Sequence, residues 1–203
     1  MANVDAPFGL RPVKHLNGMP WNGQTMRCMV PSGTAVNLYV GDAVIRGTTA
    51  DATGYCPTVT VAVMGDAAQI FGVITSFEPD VTDSTKVYRT ASTNRYCQVC
   101  IDPDVIYQIQ DSGGAAGTVA IGIAGVGLNA NLIQTHLGST VSGVSQMELN
   151  ADTVAADSSF QLLILNAAPL SNNDATIARA VWEVIISQHQ LRTFVTAHGI
   201  LGS

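Results

Sequence analysis

Few residues in this 203-residue chain are of types that do chemistry. Cys97 and Cys100 spell C-Q-V-C, a metal or redox spacing when it lies in a loop. Here it lies inside R-Y-C-Q-V-C-I (95–101), an alternating β-prone run. Positions three apart on a strand face opposite sides, so the two sulfurs cannot share a metal or close a disulfide. No second Cys/His pair completes a zinc set. Gly122, Gly125 and Gly127 read G-I-A-G-V-G, the reverse of the dinucleotide fingerprint. No acidic residue follows at about 20 positions, and no G-K-[ST] is present. Close backbone packing is the expected use of these glycines. His15, His136, His189 and His198 are scattered, without H-E-x-x-H, and no serine sits in G-x-S-x-G. Asp157-Ser158-Ser159 reads as a turn. Asp102 and Asp104 flank Pro103, whose fixed φ suits a hairpin turn or sharp corner, so their expected role is structural. The expectation is a protein with no catalytic residue, no cofactor and no metal, and not an enzyme.

The elements around these residues are short. Apolar or alternating runs fall at 26–30, 36–45, 59–64, 69–77, 86–89, 95–101, 104–110, 146–150, 160–165 and 180–188. They are rich in Val, Ile, Thr and Tyr and are separated by Gly, Pro, Asp and Ser, which predicts a mainly β chain with little helix. A short helix near 174–182, capped by Asn173 or Asp174, is an alternative. The Gly/Ala-dense stretch 113–132 is expected to begin as a strand and end as an irregular loop.

Only 12% of residues are charged, against ~25% in an average soluble domain. A neutral polar surface of this kind suits a β-rich protein that works in an assembly. The net charge of −6 argues against direct nucleic-acid binding, which uses Lys and Arg to neutralise phosphates. No apolar run approaches the ~20 residues of a membrane-spanning helix, and no secretory leader pattern is visible. The expectation is synthesis in a reducing cytoplasm, with Cys28, Cys56, Cys97 and Cys100 as free thiols.

The first 27 residues differ from the rest. They hold three prolines, three glycines and two large rings, Phe8 and Trp21, without helical or strand periodicity. They carry Arg11, Lys14 and Arg27 against Asp5, on an otherwise acidic chain. The expected organisation is an extended docking arm at 1–27 and a β-rich body at 28–203, either single or divided into two lobes near 111–117. Pro7, Phe8, Leu10, Arg11, Pro12, Lys14 and Trp21 are the candidate interface residues. They dock either on another chain or back on their own domain.

Several strings carry a resemblance. P-F-G-L-R-P-V-K-H-L-N-G (7–18), G-D-A-V (41–44), G-V-I-T-S-F-E-P-D (72–80), V-Y-R-T-A-S-T-N-R-Y (87–96) and C-I-D-P-D-V-I-Y-Q-I-Q (100–110) are among them. L-N-A-N-L (128–132) and A-V-W-E-V-I-I-S-Q-H-Q-L-R (180–192) continue it. Together they resemble small structural proteins of tailed-bacteriophage virions, of the head-decoration or cement type. The resemblance implies a compact β-sandwich or barrel-like body, with a β-tulip-like form as one version. It implies a place on the outer surface of the capsid, the major capsid protein as partner, and self-association as a homotrimer. A tail or head–neck structural protein, or a carbohydrate-binding β module on the virion, are the alternative readings.

Overall fold

The computed structural model of the chain describes residues 3–135 and 137–192. Alternation of side chains across short strands gives two β modules, with the barrel strands presenting one face to each of two cores. Strands β2 (Met26–Val30), β3 (Ala43–Ala50), β4 (Pro57–Val61), β5 (Gly72–Phe77) and β6 (Arg95–Cys100) close into a barrel in the order β2-β4-β3-β5-β6. All its pairs are antiparallel except β2–β4. Cys28, Val30, Val44, Val59, Ile74, Cys97 and Val99 fill its interior together with Leu38 and Phe71.

The second module is an antiparallel sheet in the order β1-β7-β12-β11-β8. It comprises β1 (Arg11–His15), β7 (Val105–Gln110), β8 (Asn129–Ala130), β11 (Leu162–Ala167) and β12 (Val181–Ile186). A two-stranded ribbon, β9 (Leu132–Ile133) with β10 (Glu148–Leu149), lies beside it. Tyr107, Ile109, Leu162, Ile164, Trp182 and Val184 of the sheet form one buried cluster with Ala43, Val73 and Cys100, which lie on the outside of the barrel. The body is therefore both barrel and sandwich, because one wall of the barrel serves as the second layer. The expected mainly β class with little helix holds.

The strand runs at 26–30, 95–101, 104–110 and 180–188 fall where the alternation places them. Other expectations are corrected. Residues 36–42 are not strand: the Asp42 carboxylate accepts from Tyr39 N–H at 2.8 Å and closes a turn instead. The 86–89 run makes only a single bridge, Leu38 to Arg89. Phe160 lies ahead of β11 rather than on it. No helix forms at 174–182, because the Asp174 carboxylate takes both the N–H and the hydroxyl of Thr176 into a tight turn. The 113–128 stretch does not begin as a strand; it is irregular apart from one 3-10 turn at Ile123–Gly125.

The organisation differs too. The 27/28 boundary cuts through β2, and β1 is an edge strand of the sheet rather than a separate arm. The seam between modules is the corner at 101–104, where β6 of the barrel turns into β7 of the sheet, and not 111–117. Asp102 shapes that corner by accepting from Asp104 N–H at 2.8 Å, and its other oxygen meets His15 Nδ1 at 3.2 Å.

Two arginines hold the long loops of the barrel. Arg89 is fully buried, and its guanidinium donates to the carbonyl oxygens of Pro31, Thr34, Val36 and Thr93 at 2.7–2.9 Å. Arg95 similarly gathers the carbonyls of Glu78, Lys86 and Tyr88. The planar five-donor fork is what lets a single side chain satisfy so many loop acceptors.

Candidate docking surface

The residue types first considered for chemistry are placed for packing. Cys97 points into the barrel while Cys100 joins the core between barrel and sheet, as the strand argument requires. All four thiols are free and buried. Burial, and next the neighbouring Cys56, push the Cys28 thiol up to about 12. Burial likewise raises Cys97 and Cys100. Such thiols stay protonated and weakly nucleophilic. Gly125 is packed closely, since a Cβ there would meet Ile121 Cγ2 at 2.2 Å. Gly122 and Gly127 are not: they sit in open space at positive φ and serve the turn geometry. His189 is buried, and burial followed by the charge of Arg192 pushes it down to about 4. His15 is occupied by Asp102. His136 and His198 lie outside the described residues. Among the described residues no group of three or more His, Cys, Asp or Glu is placed to hold a metal.

Several acidic residues serve local turns while keeping their charge. Asp80, Asp83, Asp157 and Asp174 each begin an Asp-x-Ser/Thr step and accept both the N–H and the hydroxyl two residues on. Those bonds favour the carboxylate, and they hold Asp80, led by the Thr82 hydroxyl, down to about 2. Asp111 is fully buried beneath Trp182. Its oxygens accept from Gly113, Arg179 and Ala180 N–H and from the Trp182 indole at 2.9–3.0 Å. Burial still raises its carboxyl above the usual range.

The candidate interface residues lie on their own body. Leu10 is 1% exposed and belongs to the core shared with Tyr107 and Trp182. Its N–H donates to Gly41 O at 2.9 Å. The two glycines there permit the crossing: a Cβ on Gly9 would meet Gly41 O at 2.5 Å, and one on Gly41 would meet Phe8 O at 2.7 Å. Further out, Gln110 ties the segment down through Ala6 N–H and Val4 O, and Asn3 does so through Asp174 and Ala178. Beyond β1 the chain turns at 15–19. His15 N–H to Met19 O and Trp21 N–H to Val13 O cover part of the free edge of β1. The segment lies on its own domain.

That folding creates a surface feature. Phe8, Leu10, Arg11, Pro12 and Trp21 form one wall of a cleft of about 230 Å³. Val40, Gly41, Ile74, Thr75 and Val144 of the body form the other. Phe8, Pro12 and Trp21 are half-buried, and Arg11 is exposed at the lip with its guanidinium 4.5 Å above the Phe8 ring. Arg11 makes no ion pair among the described residues. The other two candidates are not part of the cleft. Lys14 is engaged by the buried Glu183 at 2.7 Å, and Pro7 precedes the crossing without lining it. What sequence reasoning missed is the opposite wall. Val40, Ile74 and Val144 come from three separate segments, and no local pattern joins them.

Comparison with protein-family models, with curated proteins and with solved structures returned no match.

Proposed function

We propose that this is a structural protein of a tailed-phage virion that decorates the outer surface of the head and binds the major capsid protein. The observation that carries the reading is the cleft at the N-terminal segment. It joins an apolar floor to the Arg11 guanidinium, which lies over the Phe8 ring and makes no ion pair among the described residues. An aliphatic or aromatic side chain from a capsid subunit, flanked by a carboxylate, is the complementary shape. Filling the cleft with one such side chain contributes roughly 1.5–3 kcal/mol. Repetition over a lattice, with the protein itself as a trimer, multiplies that into firm seating. The resemblance of the N-terminal and 72–110 strings to virion structural proteins supports the same reading.

The test uses particles of the phage that encodes the chain. Cryo-EM is expected to find its density over the head, with Phe8 and Arg11 against the major capsid protein. Density on the tail or neck instead would assign it to another virion part. Phe8→Ser with Arg11→Glu is expected to fold normally, since both side chains are at least partly exposed, and to leave heads unoccupied. Full occupancy by that variant would refute the cleft as the docking site. Deleting the whole segment is a poorer test, because it removes Leu10 and β1 from the body.

A further inference from the structure

The exposed N-terminal segment contains two Asn-Gly steps, Asn17-Gly18 and Asn22-Gly23. Asn-Gly is the dipeptide most open to intramolecular attack on an asparagine side chain, because glycine puts no side chain in the way. The two steps look alike in sequence and differ in how they are held. Asn17 lies in the turn after β1. The Gly18 N–H is bonded to His15 O at 2.9 Å, and the Asn17 Oδ1 accepts from Met19 N–H at 3.0 Å. The Lys14–Pro20 bridge and the His15–Met19 bond close the turn around them. The attacking nitrogen is therefore occupied, and the carboxamide is held against the Met19 N–H within the turn.

Asn22 has none of this. Residues 22–25 are exposed and belong to no strand or turn. Neither the Asn22 carboxamide nor the Gly23 N–H takes part in a hydrogen bond among the described residues. A Cβ at Gly18 or at Gly23 would meet nothing within 4 Å, so crowding does not separate the two steps; their hydrogen bonding does.

We propose that Asn22 is a site of spontaneous deamidation, and that Asn17 is protected by its turn. The Gly23 backbone nitrogen attacks Asn22 Cγ, and a C–N bond forms. The Cγ–Nδ2 bond breaks, and the amide proton leaves with the departing ammonia. Solvent water then opens the succinimide at either carbonyl, giving aspartate or isoaspartate. No oxidant or enzyme is needed. The product puts a new carboxylate directly after Trp21, at the end of the one segment that is otherwise net basic. Through the isoaspartate it also adds an extra backbone atom between β1 and β2. The modification does not depend on what the protein docks to.

The purified full-length protein, aged in mildly alkaline buffer, tests this by peptide mass mapping with isoaspartate detection. The expected result is conversion at Asn22 at least about tenfold faster than at Asn17, the factor that ~1.4 kcal/mol of local opening cost provides. In urea the two rates are expected to converge, because only the fold distinguishes them. Gly23→Ala is expected to slow residue 22 alone. Equal rates in the folded protein, faster conversion at Asn17, or an Asn22 that stays intact while the urea control reacts would each overturn the proposal.

Discussion

Replacing Leu10 by alanine separates a loose arm from a strand that belongs to the body. Leu10 is 1% exposed, sits in the cluster that contains Tyr107 and Trp182, and directly precedes β1. Removing three carbon atoms there costs ~2.4 kcal/mol of transfer free energy at ~0.8 per methylene. The cavity left behind adds to this, because Gly9 and Gly41 already touch and the crossing cannot collapse further. The expected loss is ~3–4 kcal/mol, inside the usual range for buried leucine. Urea unfolding followed by tryptophan fluorescence measures it. With m near ~2–3 kcal/mol/M, the midpoint falls by ~1–2 M. A fall below ~0.2 M at unchanged m would refute the reasoning, since it would mean that residues 3–15 add nothing to the cooperative unit.

Two further outcomes follow from buried charge. Burial pushes Asp42 up to about 6 from an ordinary 3.8, and the Ser145 hydroxyl and then the Tyr39 N–H offset only part of that. Between those values the folded chain binds more protons than the unfolded one, so this group lowers stability as pH rises and its cost is complete above about 6. Asp42→Asn is expected to gain thermal stability relative to wild type from pH 4 to pH 6, by up to ~3 kcal/mol; a pH-independent difference refutes it. Arg89→Lys keeps the charge but replaces a five-donor fork by three donors. It is expected to cost ~2–4 kcal/mol and to speed amide exchange at Thr34 and Ser92, whose bonds lie in the loops the guanidinium gathers. Unchanged exchange at those amides would mean that the loops hold themselves.

The mainly β class was legible because alternation in R-Y-C-Q-V-C and V-W-E-V-I-I is local. The opposite placement of Cys97 and Cys100 followed from the same period. The barrel closure was not legible, because the parallel β2–β4 pairing joins segments that no pattern relates. Residues 36–42 and 86–89 have strand-like composition, yet Asp42 and Arg89 recruit their backbones into turns. The N-terminal segment was misjudged for a related reason. Prolines and glycines hid a strand that is broken by a bulge between Pro12 and Lys14. One signal was used at Asp157 and extends to three further steps. The Asp-x-Ser/Thr steps at 80, 83, 157 and 174 each announce a turn closed by the carboxylate on the N–H and hydroxyl two residues on.

The corner at 101–104 has a mechanical consequence. Tension on the N-terminal segment enters β1, passes to β7 through their ladder, and reaches the barrel through four residues of continuous chain. A pull along β1 loads its hydrogen bonds with β7 side by side rather than one after another, so they must yield together. The Gly9–Gly41 crossing and the Lys14–Glu183 pair are strained in the same movement. The chain is thus braced along one line, and a force applied at that segment is spread over both modules before either opens.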